Sequence, residues 1–331
     1  MTDLPEVSII VPLFNEQDNV TELADGLTQA MGDAGVSYEV IFIDDGSTDR
    51  TVDVLQEVQK CCSGTRIIQF RRNFGQTAAM AAGFDHARGN VIVPMDGDLQ
   101  NDPADIPLLL NKLDEGYDVV SGWRRRRQDK VLTRKIPSWI ANYLIGKITG
   151  VPLHDYGCTL KAYRKDVVEN IRLYGEMHRF IPALASWSGA KVTELEVNHR
   201  PRIHGKTKYG LGRTAKVILD LITVKFLGTF STKPLHVFGG IGLLSLLASF
   251  IFGSGVSYQK LFSGVDVSGN PLFMLSVIFL VMSVQFLLMG LLAEMMARTY
   301  HESQNKPTYV IRQTFESDGR KPAVAGDAED G

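Results

Sequence analysis

Cysteine is scarce in this chain of 331 residues, which contains only Cys61, Cys62 and Cys158. The adjacent Cys61 and Cys62 cannot easily form a disulfide with each other, and no CxxC motif or Cys/His cluster offers a zinc site. These absences exclude a small disulfide-stapled fold and a zinc module. They fit a protein whose main domain faces a reducing cytosol.

An excess of positive charge is also absent, because 35 Lys and Arg residues stand against 37 Asp and Glu residues, giving a net charge of −2. Proteins held on nucleic acid by its phosphates usually carry a basic excess. We therefore expect no nucleic-acid partner, and any basic patch must be local. A signal-peptide pattern is missing as well, since residues 1–6 carry acids and a proline, so we expect the N-terminal part to stay in the cytosol.

Ionisable residues are almost absent from two apolar runs near the C-terminus. Residues 235–253 contain only His236, and residues 272–293 contain none. A helix needs about 20 apolar residues to cross the hydrocarbon of a bilayer. We predict two transmembrane helices, with a pair of buried core helices as the alternative.

The basic residues around these runs predict the orientation in the membrane. The loop between the runs holds only Lys260 and Asp266, whereas Lys and Arg cluster outside them, at Arg213, Lys216, Lys225, Lys233, Arg298, Lys306 and Arg312. By the positive-inside rule, both long ends of the chain face the cytoplasm. Residues 211–230 have amphipathic helical spacing, which predicts a helix at the membrane interface or one that closes the soluble domain. Residues 316–331 lack apolar periodicity, which predicts a disordered tail.

Strand-like and helix-like segments alternate before the apolar runs. Short β-branched or apolar runs lie at residues 7–13, 39–43, 66–70 and 90–95, and helical patterns lie at residues 19–31, 51–60 and 77–87. This order predicts an α/β fold, Rossmann-like, in which helices cover a mostly parallel sheet. Ligands of such folds bind at the carboxyl ends of the strands.

Polar residues follow each predicted strand at that edge. Pro12, Asn15 and Glu16 follow the first, and residues 44–49 follow the second. Glu16 and Asp45 are suited to accept hydrogen bonds from ribose hydroxyls and a base N–H. We interpret Ser47 and Thr48 as N-caps of the helix that begins near Asp49.

The fourth predicted strand is followed by Asp96-Gly97-Asp98. The two acids are two residues apart at a strand end, so their side chains share a face, and Gly97 leaves room for backbone to approach a ligand. Paired carboxylates suit Mg²⁺ or Mn²⁺ held jointly with substrate phosphates. The alternative is a purely structural role for these acids in a turn.

With these motifs, the sequence resembles the inverting glycosyltransferases of family 2, which have a GT-A fold, in the branch that glycosylates polyisoprenyl phosphates. The resemblance covers most of the chain and rests on VPLFNE, IDDGSTD, RRNFGQTAAMAAGFDHARG, MDGDLQNDP, GYDVVSGWRRRRQD, DYGCTLKAYRKDVV, RFIPALA and HGKTKYG. Two departures are Phe14, where Tyr is commoner, and Gly97, where Ala is commoner. Neither departure argues against activity.

The resemblance implies roles for individual residues on the donor side. Pro12, Glu16 and Asp45 would bind the base and ribose of a nucleotide sugar. Asp96, Asp98 and Gln100 would bind the metal, Mg²⁺ or Mn²⁺, and the diphosphate, with Asp96 and Asp98 as metal ligands.

On the acceptor side, basic residues would bind a lipid phosphate at the height of the headgroups, and these are Arg124, Arg127, Arg202, His204 and Lys208. A patch that only attracts anionic headgroups is the alternative for part of this set. The resemblance also places an acid, Asp155, beside the reacting groups, where it would orient an Arg or Lys or cap the turn before Gly157. Asp98, Asp155 and Arg124 are the expected catalytic residues.

The function implied is inverting transfer of a hexosyl-type sugar from a UDP-sugar, glucose as first guess, to undecaprenyl phosphate for modification of a cell-envelope glycan. The alternatives are a GDP-mannose-dependent synthase and a non-catalytic membrane-anchored binder. A processive polysaccharide synthase would carry a QxxRW motif and more spans. We expect a multi-pass protein of the cell (inner) membrane, compatible with a homo-oligomer. Its expected parts are a GT-A domain (1–210), an amphipathic juxtamembrane region (211–233), two transmembrane helices (234–297) and a cytosolic tail (298–331).

Overall fold

The structure is a computed structural model that describes residues 4–125, 136–169, 171, 173, 177–201, 234–264, 266–303 and 311–315. Contacts divide the chain into two compact units. One comprises Met1–Val224 and Pro307–Gly331, and the other comprises Lys225–Lys306.

The first unit is built on one mixed sheet of eight strands. They are β1 (Val7–Leu13), β2 (Tyr38–Asp44), β3 (Thr65–Phe70), β4 (Val91–Pro94), β5 (Val119–Trp123), β6 (Lys161–Arg164), β7 (Val192–Glu196) and β8 (Ile311–Phe315). Their order in the sheet is β7-β5-β6-β4-β1-β2-β3-β8. Strand β6 runs antiparallel to β4 and β5, and β8 runs antiparallel to β3, whereas the other pairs are parallel. The predicted α/β class with a mostly parallel sheet is confirmed.

Helices cover both faces of this sheet. They are α1 (Val20–Ala34), α2 (Thr51–Cys61), α3 (Gln76–His86), α4 (Ile106–Asp114), α5 (Ile136–Thr149), α6 (Lys165–Glu169) and α7 (Ile181–Trp187), with 3₁₀ turns at Pro103–Asp105 and Met177–Phe180. Alternate residues of β1 enter different cores, because Ile10 packs with α3 on one face while Ile9 and Val11 pack with α1 on the other. A strand buried on both faces reads as a continuous apolar run, which is why the central strands were predictable.

The second unit is a helical hairpin of α8 (Pro234–Ser263) and α9 (Pro271–Ser303). Ser249 and Ser276 join the helices, since the hydroxyl of each donates to the backbone carbonyl of the other, at 2.8 and 3.0 Å. By length and composition, Phe238–Ser263 and Pro271–Ala293 could each cross a membrane. This finding agrees with the two predicted transmembrane helices.

The segment predicted as the cytosolic tail, residues 298–331, contains ordered elements. Helix α9 continues to Ser303, and Ile311–Phe315 forms β8 at the edge of the sheet. The segments predicted as an interfacial helix (211–230) and as a disordered end (316–331) lie outside the described residues.

Candidate active site

The sheet brings the predicted loops to one edge. In the parallel register Leu13 pairs with Asp44 and Ile10 pairs with Pro94, so β1, β2 and β4 end side by side. The amide of Asp45 then donates to the carbonyl of Leu13 at 2.8 Å. The polar residues that follow these three strands therefore lie together, as the alternation of strands and helices predicted.

The first two loops are tied to each other through Asn15. Its amide donates to the hydroxyl of Ser47 at 2.9 Å, and its side-chain oxygen accepts from the amide of Thr48 at 2.8 Å. The predicted N-cap role of Ser47 and Thr48 is wrong, because α2 begins at Thr51. Asp49 satisfies this end of the helix by accepting from the Thr51 amide at 3.0 Å.

Glu16 and Pro12, the residues expected at a nucleoside, lie at this edge of the sheet. Both are half-buried at this edge. The carboxylate of Glu16 accepts from the side-chain amide of Asn19 at 2.6 Å, and its backbone amide donates to the hydroxyl of Thr51 at 3.0 Å. These contacts fix the direction of the Glu16 side chain, and a fixed acceptor is what recognition of a ribose diol requires.

Asp45, expected at the nucleoside, is buried and holds the third loop. Its carboxylate accepts from the amides of Phe74 at 2.7 Å and Gly75 at 2.9 Å. Burial raises the pKa of Asp45 although these hydrogen bonds oppose the shift. Glycine is required beside it, because a Cβ on Gly46, where φ is 71°, would lie 2.5 Å from the carbonyl carbon of Arg72.

Asp96 joins the fourth loop to two other segments. One carboxylate oxygen accepts from the side-chain amide of Gln76 at 2.7 Å, and the other accepts from the hydroxyl of Thr159 at 2.8 Å. Burial raises the pKa of Asp96, and the charge of Asp98 adds to the shift. Sequence reasoning did not single out Gln76 or Thr159, although both lie in stretches that carry the family resemblance.

Asp98 directly precedes a residue with strained backbone, Leu99. Its carboxylate accepts from the amide of Gln100 at 3.2 Å, and Leu99 between them has a φ of 60°. A left-handed conformation is costly for leucine and is kept only where surrounding contacts impose it. Gly97 is also constrained, since a Cβ there would lie 2.1 Å from Cδ2 of the buried Leu13.

The acid pair fits a hard divalent cation that is shared with a substrate. The described part of the chain contains no group of three or more His, Cys, Asp or Glu residues that could hold a metal by themselves. Mg²⁺ and Mn²⁺ suit such sites, where one or two carboxylates act together with phosphate oxygens and water. Both oxygens of Asp96 already accept from uncharged donors, the amide of Gln76 and the hydroxyl of Thr159.

Arg124 and Asp155 form a buried ion pair beside these acids. Two guanidinium nitrogens donate to the two carboxylate oxygens at 2.8 and 3.1 Å. Although burial opposes it, the Asp155 carboxylate raises the pKa of Arg124. Asp155 also accepts from the amide of Gly157 at 3.1 Å, so it both orients an arginine and caps the turn, the two options that the sequence left open.

The remaining basic residues predicted at the acceptor, Arg127, Arg202, His204 and Lys208, lie outside the described residues. The described chain that precedes Arg202 contacts the loop that follows β4. The amide of Arg200 donates to the carbonyl of Gln100 at 2.9 Å, and its guanidinium pairs with Asp102 at 2.5 Å.

Two buried bases behind the site were missed from the sequence. The ammonium of Lys161 is buried, which lowers its pKa. His178 contacts the hydroxyl of Thr77 through Nδ1 at 2.7 Å, and burial lowers its pKa to about 3. Lys161 lies in a stretch that carries the resemblance and His178 directly precedes another, but nothing local to either residue indicates its burial.

The chain carries paired aspartates at the carboxyl edge of a Rossmann-like sheet, and comparison with known proteins identifies its family. The glycosyl transferase family 2 model matches residues 8–172. The dodecaprenyl-phosphate galacturonate synthase of Rhizobium johnstonii is 46% identical, over 94% of this chain and 93% of the relative. The undecaprenyl-phosphate 4-deoxy-4-formamido-L-arabinose transferase of Pseudomonas aeruginosa is 37% identical, over 93% of this chain and 89% of the relative. The chain therefore belongs to glycosyl transferase family 2, and the prediction of a transferase is confirmed.

Solved structures support the fold alone. Glucosyl-3-phosphoglycerate synthase from Mycobacterium tuberculosis, solved with Mn²⁺ and UDP-glucose, matches with a TM-score of 0.54 at 16% identity, over 67% of this chain and 79% of that chain. Mannosyl-3-phosphoglycerate synthase from Rubrobacter xylanophilus matches with the same TM-score at 15% identity, over 67% and 74%. The GT-A-like architecture expected from the sequence is confirmed.

Proposed function

We propose that this protein transfers a sugar from a nucleotide diphosphate sugar to a polyprenyl phosphate, with inversion at the anomeric carbon. One observation carries the proposal: Asp96, Asp98 and the Arg124–Asp155 pair meet at one sheet edge in a chain that also has two candidate membrane helices. The relatives that match nearly the whole chain are named for polyprenyl-phosphate sugars, which supports the lipid acceptor.

The donor that we favour is a UDP-linked hexuronic acid. The relative with 46% identity is named a galacturonate synthase, whereas those named for the formylated aminoarabinose reach 37%. This similarity favours a uronic acid over glucose, the first expectation from the sequence. UDP-glucose and GDP-mannose are therefore the competing donors in the assay.

The reaction needs little acid–base assistance from the protein. An acceptor phosphate is anionic near neutral pH, so its oxygen attacks the anomeric carbon without a general base. Asp98 and Asp96 would hold Mg²⁺ or Mn²⁺, which supplies positive charge to the departing diphosphate. Arg124, held rigidly by Asp155, presents a fixed positive charge for a phosphate, and in-line placement gives a β-linked product from an α-linked donor.

The other proposed acceptor residues are Arg127, Arg202, His204 and Lys208. An arginine grips a phosphate with two parallel hydrogen bonds, whereas attraction to headgroups needs only a positive charge. Transfer by Arg202→Lys in detergent therefore tests the proposal. A loss of about ten- to a hundredfold in acceptor kcat/KM supports a phosphate contact. Wild-type kinetics would assign the phosphate to Arg124 and Arg127.

The proposed location is the cell inner membrane, with the catalytic unit and C-terminus in the cytoplasm. Strand β8 belongs to the same unit as the chain before the hairpin, which supports a topology in which both ends of the hairpin are cytoplasmic. The proposed parts are the catalytic domain (1–210), the juxtamembrane region (211–233), the hairpin (234–297) and the C-terminal segment (298–331). A protease site near Ser263 should be cut from outside intact cells, while a tag at residue 331 should be protected. Cleavage of that tag would contradict this topology.

The decisive experiment is a transfer assay with a panel of donors. Membranes that contain the protein are incubated with undecaprenyl phosphate, Mg²⁺ or Mn²⁺, and UDP-galacturonate, UDP-glucuronate, UDP-glucose or GDP-mannose. We expect a lipid-phosphate uronic acid by mass spectrometry, and none from the Asp98→Asn protein. Binding of donors without any lipid product would instead indicate a non-catalytic binder.

A further inference from the structure

Lys161 is a buried cation whose partners are backbone carbonyls. It begins β6 and is 2% exposed. Its ammonium donates to the carbonyl of Cys158 and, at 3.4 Å, to the carbonyl of Tyr156. Within the described residues no carboxylate forms an ion pair with it. Burying an ammonium without such a partner is costly, so its place beside the site calls for an explanation.

The carbonyls that Lys161 binds belong to a turn whose two ends each hydrogen-bond a side chain of the proposed active site. At one end Asp155 holds Arg124 through two hydrogen bonds. At the other end the hydroxyl of Thr159 donates to Asp96 at 2.8 Å. The ammonium thus fastens the middle of a segment whose two ends position groups at the reacting edge.

The turn also packs tightly against β5, so a displacement of the turn would shift β5 and the Arg124 that follows it. The amide of Gly122 donates to the carbonyl of Leu160 at 3.0 Å. A Cβ on Gly122 would lie 2.6 Å from that oxygen and 3.0 Å from the sulfur of Cys158. Arg124 lies two residues beyond Gly122, so the turn and the arginine share one rigid support.

The charges give Lys161 a second effect. Asp96 and Asp155 act electrostatically on its ammonium, as does Arg124 with the opposite sign. Lys161 therefore offsets part of the negative charge of the acids while it holds their supporting turn. A neutral side chain of similar length would fill the space and provide neither effect.

We propose that Lys161 is a positioning residue for sugar transfer, which fixes the turn from Tyr156 to Thr159 and through it the Asp96 and Arg124 side chains. This inference rests on the proposed function. It predicts that removing the ammonium slows the chemical step more than it weakens donor binding, since displacements of about 1 Å at reacting groups cost about a hundredfold.

The test compares Lys161→Met with Lys60→Met, an exposed lysine on α2. Both proteins are assayed in detergent at a temperature where thermal unfolding shows them fully folded. For Lys161→Met we expect kcat to fall by about 30- to 100-fold and the donor KM to change by less than about threefold. Amide hydrogen exchange of residues 156–160 should become faster. The Lys60→Met protein should match wild type in all three measurements.

A double-mutant cycle with Thr159→Val separates positioning from a general loss of stability. If Lys161 acts through Thr159, the double variant loses about as much kcat as the more damaging single variant. The proposal would be overturned if the loss of kcat in the double variant equalled the product of the two single losses. It would also be overturned if folded Lys161→Met kept the wild-type kcat. If Lys161→Met does not fold, Lys161→Gln replaces it in the double-mutant cycle, because glutamine retains an N–H donor. The same two outcomes then overturn the proposal.

Failure of the proposed function has a different signature. In that case the wild-type protein itself forms no lipid-linked sugar from any donor. The Lys161 inference is then judged by hydrogen exchange of the 156–160 amides in wild type, Lys161→Gln and the Lys60→Met control. Unchanged exchange of these amides in Lys161→Gln would refute it independently of transfer.

Discussion

Replacing Asp155 with asparagine should destabilise the protein strongly, because it leaves the Arg124 guanidinium buried without its counter-charge. The side chains of Arg124 and Asp155 are 10% and 3% exposed, so solvent screens this pair little. Breaking such a pair costs about 3–5 kcal/mol, and we take the lower limit because asparagine keeps one acceptor oxygen. For a unit of this size, about 3 kcal/mol corresponds to a fall in Tm of about 6–12 °C.

The assay is thermal unfolding of the full chain in detergent, followed by tryptophan fluorescence. Glu196→Gln is the matched control, because it removes the neighbouring Arg125–Glu196 pair, whose side chains are 63% and 49% exposed. An exposed pair contributes about 0–1 kcal/mol. If Asp155→Asn lowers Tm no more than Glu196→Gln does, the reasoning from burial is wrong.

A double replacement separates the stability of this pair from its role in catalysis. Exchanging a buried ion pair for apolar residues of similar volume is often neutral for stability. We therefore expect Arg124→Met combined with Asp155→Leu to recover most of the Tm lost in Asp155→Asn but to remain inactive. Recovery of transfer in this double variant would show that Arg124 has no direct role in the reaction.

Four further outcomes are expected. Asp98→Asn should abolish metal-dependent transfer while Tm stays within about 2 °C of wild type, and unchanged turnover would refute the metal assignment. Burial lowers the pKa of His178 to about 3 in the folded protein. Between pH 6.5 and 3 the unfolded state therefore binds one more proton than the folded state. The free energy of unfolding should fall as the pH falls through this range, by at most about 1.4 kcal/mol per pH unit. Urea unfolding at pH 7 and 5 should show this slope in wild type and a shallower one in His178→Asn. Gly122→Ala should cost about 3 kcal/mol, measured in the same way, because its Cβ would meet the carbonyl of Leu160 at 2.6 Å. Truncation after residue 310 removes β8 and leaves β3 at the sheet edge, so light scattering should detect aggregation that the full chain does not show.

The first half of the fold was predictable because its signals are local. The four predicted strands coincide with β1 to β4 to within about two residues at each end, the usual uncertainty of element boundaries. Strands β5 to β8 were not predicted, since they are short and their pairing is distant in sequence. The side chain of Gln59, for example, binds the carbonyl of Phe315, 256 residues away. No window along the chain contains that contact.

The loops that follow the predicted strands lie together as expected, but the partners of their side chains were not predicted. An acid after a strand predicts a ligand contact, yet Asp45 also accepts two backbone amides of another loop. Ser47 looked like a helix cap because it stands just before α2, whereas its hydroxyl binds the amide of Asn15. In both cases the hydrogen-bond partner lies about 30 residues away in sequence, so local sequence preference cannot predict it.

Backbone strain shows why local rules fail at this edge in particular. Asn15 and Leu99 are the non-glycine residues with positive φ in the part of the chain that the structure describes, and each is adjacent to a proposed ligand-binding acid, Glu16 or Asp98. Such conformations persist only where other contacts impose them, as the Asn15 bonds to the second loop do. The strain thus places acceptors at fixed positions before a substrate arrives, which is the condition under which electrostatic contacts accelerate a reaction. Asparagine tolerates the left-handed region and leucine does not, so Leu99 is the position where structure and local preference disagree, and it directly follows the proposed ligand-binding acid Asp98.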